Sequence, residues 1–182
     1  QDINNVTGAM VWVAALLYTL QIYYDFSGFS DMAIGLGKMF GFTICENFDY
    51  PYLSSSVQEF WRRWHISLGS WFRDYLYSRR GTVRTYGNLL VVWLATGLWH
   101  GATTAFIVWG LLHGLCIMME RAGWKRMLDK AGVFRYVYVQ LVVIVGWVFF
   151  RVGNLAPAFA YLKRMFLPWK YTESTYVLRE LM

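Results

Sequence analysis

Charged residues fall in blocks along this chain, and the stretches between the blocks are apolar. No Asp, Glu, Lys or Arg occurs across residues 3–24 (a run of 22), 85–119 (a run of 35) or 136–150 (a run of 15). A membrane-spanning helix needs about 20 predominantly apolar residues. The first run predicts a span over 7–24, closed by the turn-forming Asp25, Ser27 and Gly28. The third predicts a span over 135–151, with Arg135 and Arg151 reaching out to the two interfaces. The second is too long for one span, because 35 residues make about 52 Å of helix against a hydrocarbon core of about 30 Å. Its centre reads Gly97-Leu98-Trp99-His100-Gly101. The pattern there predicts a helical hairpin or a broken, re-entrant element.

A different pattern occupies 55–77. Val57, Phe60, Trp61, Trp64, Leu68, Trp71, Phe72 and Tyr75 recur at helical spacings. Gln58, Arg62, His65, Gly69 and Arg73 form an adjoining polar stripe. This predicts one amphipathic helix, lying at a membrane interface or packed over a bundle. Residues 30–42 predict a short glycine-rich helix capped by Ser30 or Asp31. Residues 43–54 read as a loop around Pro51, 78–87 as a short basic loop and 120–132 as a basic loop or amphipathic piece. Residues 157–166 read as a short interfacial helix, followed by loop from Leu167. The fold class expected is all-α: one polytopic integral membrane helical bundle over 1–182.

Composition sharpens this picture. Of the 182 residues, 57% are hydrophobic and 15% charged, against about 25% charged in a typical soluble domain. That excludes a disordered chain. Cys45 and Cys116 are the only cysteines; they exclude a disulfide scaffold and have no metal-ligand spacing. The net charge of +6 raises nucleic acid as a partner, but its layout argues otherwise. Arg62, Arg63, Arg73, Arg79, Arg80 and Arg84 lie between the first two apolar runs, and Arg121, Lys125, Arg126, Lys130 and Arg135 between the second and third. Basic residues bunched beside spans are the positive-inside pattern, so the expected partner is membrane lipid and not nucleic acid. The chain begins at Gln1 without a signal peptide, as an internal piece of a longer protein would.

Three histidines carry the candidate chemistry. His100 lies mid-way along the 35-residue uncharged run. An ionisable side chain at membrane depth is costly and is by default a functional candidate. The flanking Gly101 lets a ligand approach closely, and neutral imidazole is a general base near pH 7. The plainer reading is a buried histidine bonded to a neighbouring helix. His65 sits where the aromatic face of 55–77 meets its arginines, as a site residue or a solvated interface histidine, and Arg62 and Trp64 beside it can shape a pocket. His113 is expected to make a structural bond between helices. Asp25, Asp31, Glu46, Asp49 and Glu59 are expected to pair with Arg62, Arg63 or Arg73. No metal site, nucleophile elbow, P-loop or dinucleotide fingerprint is present in the sequence.

The strings YYDFSGFSDMAIGLG, ENFDYPYLS, EFWRRWHISLGSWFRDYLY, TGLWHGA, WGLLHG and GWVFFRVGNLAPAFAYLKRMF occur in this order. Together they resemble membrane-bound O-acyltransferases, of the bacterial branch that acetylates alginate or D-alanylates teichoic acids. The resemblance covers roughly residues 20–166. Two local departures, Ser78-Arg79-Arg80-Gly81 after RDYLY and Thr103-Thr104 after WHGA, leave the histidines untouched. The resemblance implies that His100, in WHG, is catalytic and that His65, in RRWH, is a second site histidine. Trp64, Arg62, Trp99 and Gly101 around them are expected to bind substrate. It implies a ring-like bundle of tilted helices, reached by donor and acceptor from opposite faces.

The function so implied is transfer of an acyl group, acetyl above all, to a hydroxyl of a cell-surface polysaccharide. The donor is a thioester substrate, acetyl-CoA or an acyl carrier, with no bound cofactor. Transfer is direct or through a secreted or periplasmic partner, in a bacterial cytoplasmic membrane. The resemblance implies a protein more than twice this length, so the chain is expected to be the catalytic C-terminal part, which need not fold or act alone. A transporter or channel built on broken helices, an inactive scaffold, and D-alanyl transfer remain as alternatives.

Overall fold

A computed structural model of the chain describes residues 6–76 and 85–170. Arg79, Arg80, Arg84 and most of the basic loop 78–87 lie outside the described residues, as do 171–182. Eight α-helices follow in order among the described residues: α1 Gly8–Met39, α2 Val57–Arg63, α3 Ile66–Trp71, α4 Thr85–His100, α5 Thr104–Met119, α6 Lys125–Lys130, α7 Phe134–Val152 and α8 Leu155–Phe166. No strand occurs among them, in keeping with the all-α expectation. Among the described residues, three helical stretches are long and apolar enough to cross a membrane: α1, Thr104–Lys130, which kinks at Gly123, and α7.

Helix α1 is a single 32-residue rod, about 48 Å long, and not the span, turn and short helix read from the sequence. The Thr7 hydroxyl accepts from the Met10 amide at 3.3 Å and caps it. Asp25, Ser27 and Gly28 fall inside it because nothing compels a break: no proline intervenes, and the faces of Gly28 and Gly35 are open. Ser30 is buried mid-helix instead of capping. The 35-residue apolar run does fold as a hairpin. Helices α4 and α5 are joined by Gly101–Thr103 and pack closely along their length. The approach is permitted by the absence of side chains at Gly97 and Gly110. A Cβ at Gly97 would lie 2.6 Å from the Phe106 carbonyl oxygen, and one at Gly110 would strike that of Trp93. Backbones meet at that distance only where small residues face each other.

The amphipathic segment departs from the expected single helix over 55–77. It breaks at Trp64-His65 into α2 and α3, and then continues as a π-helical turn over Phe72–Leu76. The cause is tertiary. The loop before it folds back, and Phe48 pairs with Trp64 in an isolated antiparallel bridge. The Asp49 amide donates to the Arg63 carbonyl at 2.9 Å, and the Ile66 amide to the Asn47 carbonyl at 3.0 Å. These bonds pull the backbone out of the helical ladder, and His65 takes a left-handed conformation with φ 48°. A non-glycine residue there costs roughly 1–2 kcal/mol, so the surrounding bonds must impose it.

This segment lies over the bundle, α2 packing on α5 and α7. Val57 and Phe60 are fully buried, and Trp64 nearly so. Phe60 stacks on Trp64 at 5.6 Å, and Trp64 meets Trp147 of α7 at 5.0 Å. Two bonds staple the preceding loop down. The Tyr52 hydroxyl donates to the Thr19 carbonyl of α1 at 2.8 Å, and the Gln140 amide of α7 donates to the Tyr52 carbonyl at 2.6 Å. Helix α8 closes the bundle against α1, where the Trp12 indole donates to the Met165 carbonyl at 2.9 Å.

Candidate active site

His100 is the last residue of α4, where the helix ends at the Gly101–Thr103 break. Its Nδ1 lies 2.7 Å from the Thr96 carbonyl oxygen, one turn back. A carbonyl only accepts, so Nδ1 carries the proton and Nε2 keeps its lone pair. Aromatic rings enclose the imidazole: Trp99 and Trp109 at 4.8 Å and Phe150 at 5.4 Å.

His65 faces the same space. Its ring meets Phe26 of α1 edge-on at 4.7 Å and Trp99 at 5.9 Å. Burial, with His100 nearby, pushes its imidazole down to about 4, so it is neutral near pH 7. A cavity of about 550 Å³ joins the two histidines, lined also by Trp64, Trp99, Asp25 and Arg151. Its walls are mostly aromatic and its charges few, the usual character of a small-molecule site.

The candidates thus divide. His100, His65, Trp64 and Trp99 share one cavity. Arg62 lines a second one, of about 310 Å³, on the other side of Trp64 and His65, together with Arg73, Arg121 and Thr96. Trp64 and His65 border both. Gly101 gives its space to a protein ring: a Cβ there would stand 2.5 Å from Phe106. Its contribution is to turn the chain after His100.

The bond expected of His113 between helices is not the one it makes. Its Nδ1 lies 2.8 Å from the Trp109 carbonyl of its own helix, and its ring is buried against Trp61, Trp93 and Trp109. Of the expected ion pairs, Arg63 takes Glu59 at 2.8 Å and Asp49 at 3.9 Å; Arg73 instead takes its neighbour Asp74, which was not among the expected partners, at 3.7 Å. Sequence reasoning passed over Asp25 and Arg151 as site residues, reading one as a turn and the other as an interfacial anchor. Neither identity nor spacing marks them, because they meet His100 only through the packing of α1 and α7.

The sequence model of the membrane-bound O-acyltransferase family matches residues 4–161. The chain belongs to this family. It is 48% identical to the probable alginate O-acetylase of Pseudomonas putida, covering 94% of this chain and 37% of that protein. It is 40% identical to the peptidoglycan O-acetyltransferase of Helicobacter pylori, over 85% of this chain and 31% of that protein. With the teichoic acid D-alanyltransferase of Bacillus subtilis the identity is 32%, over 62% and 31%. The chain spans about a third of the length of these relatives. The cavity shared by His100 and His65 lies within the residues that the family model matches.

Proposed function

We propose that the protein carrying this chain transfers an acetyl group from a thioester to a hydroxyl of a cell-surface polysaccharide, with His100 as general base. The observation that carries this reading is the His100 geometry: Nδ1 is committed to the Thr96 carbonyl, and the free Nε2 belongs to a ring lining a cavity shared with His65. Nε2 takes the proton as the hydroxyl oxygen attacks the thioester carbonyl. The tetrahedral adduct collapses, the C–S bond breaks, and the imidazolium returns its proton to the departing thiolate. The products are an ester and a thiol. General-base assistance of this kind contributes about 10²–10⁴-fold. His65 binds and orients a reacting group opposite, with Trp64 and Trp99 excluding water.

The donor in this reading is acetyl-CoA or an acetylated carrier. The acceptor is a polysaccharide reached directly or through a secreted partner, and the enzyme is a multi-pass protein of the bacterial cytoplasmic membrane. Acetyl is favoured over D-alanyl because the alginate O-acetylases are 47–50% identical to the chain and the D-alanyltransferases 32–33%. The test compares ester-linked acyl groups on surface polysaccharide from cells expressing the whole protein, its His100→Ala variant or neither. Mass spectrometry of the released acid names the group. Acetate from the unaltered protein alone, at equal protein level, is the expected result; ester retained in His100→Ala removes His100 from the chemistry.

A further inference from the structure

We infer that Asn47, in the loop before α2, is a positioning residue that fixes His65 as a hydrogen-bond acceptor toward a substrate hydroxyl or N–H other than the attacking one. The inference rests on the acyl-transfer reading above and concerns what His65 can do within it. Asn47 holds His65 from two directions. Its backbone carbonyl accepts from Ile66, the residue after His65, and so helps impose the left-handed turn. Its side-chain Oδ1 accepts from the Ser67 amide at 3.1 Å and the Ser67 hydroxyl at 2.9 Å, and lies 3.3 Å from His65 Nδ1. Its Nδ2 donates to the buried Ser30 hydroxyl of α1 at 3.1 Å.

The distances in this network favour one arrangement of protons. The Ser67 backbone amide can only donate, which settles which end of the Asn47 amide is oxygen. The Ser67 hydroxyl has one proton, and the shorter contact, 2.9 Å to Oδ1 against 3.3 Å to His65 Nδ1, favours giving it to Oδ1. Both neighbours of Nδ1 are therefore acceptors, so Nδ1 carries the hydrogen and Nε2 the lone pair. A neutral His65 in this state cannot donate to a developing oxyanion through Nε2. It can accept from a second hydroxyl or an N–H of the bound substrate, and so hold the acceptor in place while the attacking hydroxyl gives its own proton to His100. The stabilising donor for the oxyanion must come from another group.

The charged or titratable groups around the ring are Tyr18, Asp25, His100 and Arg151 in the larger cavity and Arg62, Arg73 and Arg121 in the smaller. None is altered by substitution at position 47, so a change in pH profile reports on the Asn47–His65 contact. The test uses membranes containing the whole protein, acetyl-CoA as donor and an alginate oligosaccharide as acceptor, with ester formation followed against pH. Asn47→Leu removes the acceptor and frees the other tautomer. It should lower kcat by about tenfold or more at every pH, with KM changed less. Asn47→Asp keeps an acceptor but adds a charge that favours imidazolium. Its activity should approach that of the unaltered protein at alkaline pH, with the acid limb displaced upward by about one to three pH units. Asn47→Leu combined with His65→Ala should be no worse than His65→Ala alone.

Equal, pH-independent losses in both Asn47 variants would overturn the inference, as would full activity in Asn47→Leu or additive losses in the double variant. Full activity in His65→Ala, or no ester formed by the unaltered protein, would instead bring down the functional reading beneath it.

Discussion

His65 and His113 illustrate how single residues are controlled by what surrounds them. His65 is held neutral by burial, at about 4 in the folded protein against 6.5 as its ordinary value. Between these values the unfolded chain binds the extra proton and the folded one does not, so stability rises with pH across this window. It is fully present above 6.5 and is lost as pH falls toward 4. Glu59, held below its usual 4.5 because its bonds to Ser55 and Arg63 outweigh desolvation, adds the same trend only at lower pH. Thermal unfolding in detergent should therefore fall from pH 6.5 to about 5, and His65→Gln should flatten that slope. His113 depends on a glycine of another helix. A methyl at Gly146 would run into its ring, with Nε2 at 2.9 Å. Gly146→Ala should cost about 1–3 kcal/mol by overpacking, read as a lower Tm with no change in the pH profile.

At the scale of elements, the start of α2 is secured from outside its own sequence. The Glu120 carboxylate, buried where α5 passes into its π-helical turn, accepts from the Val57 amide at 2.7 Å and the Gln58 amide at 3.0 Å. These are free first-turn donors of α2, and Val57 is fully buried. Ser56 adds the local cap, accepting from the Glu59 amide at 3.0 Å. Glu120→Ala would strand both amides, at about 1–3 kcal/mol for each buried donor left unpaired. A loss of thermal stability larger than that of Ser56→Ala is expected. The helical hairpin of α4 and α5 was legible in the sequence because a 35-residue apolar run with glycines at its centre has few other solutions. The break at His65 was not. Its apolar spacing is helical throughout, and the interruption comes from a strand-like pairing with residues 47–49.

At the scale of the molecule, large apolar side chains remain outside. Along α1, Leu17, Phe29 and Met32 are each more than 60% exposed, as are Met127, Val133 and Phe134 beyond α5. Such faces are at home against lipid or other spanning helices. By the positive-inside rule, the basic cluster of Arg121, Lys125, Arg126 and Lys130 is expected on the cytoplasmic side. A cysteine introduced at Met127, in a Cys45→Ser background, should react with an impermeant maleimide only from the cytoplasmic face. Labelling from the outer face would reverse the orientation.

What the sequence alone determined is whatever depends on composition, periodicity and contiguous strings. Apolar runs made it a helical membrane protein, glycines at 97 and 101 turned its longest run into a hairpin, and the WHG and RRWH strings marked His100 and His65. These are local signals, carried by residues a few positions apart. The tertiary structure decided the rest, because it depends on which surfaces meet. It ran α1 unbroken through Asp25, set Asp25 and Arg151 at the rim of the His100 cavity and moved Arg62 to a neighbouring one. It also brought Asn47 and Ser67 to the same nitrogen of His65. A hydrogen bond spanning eighteen or more residues leaves no period in the chain; the proton on that nitrogen follows from the fold.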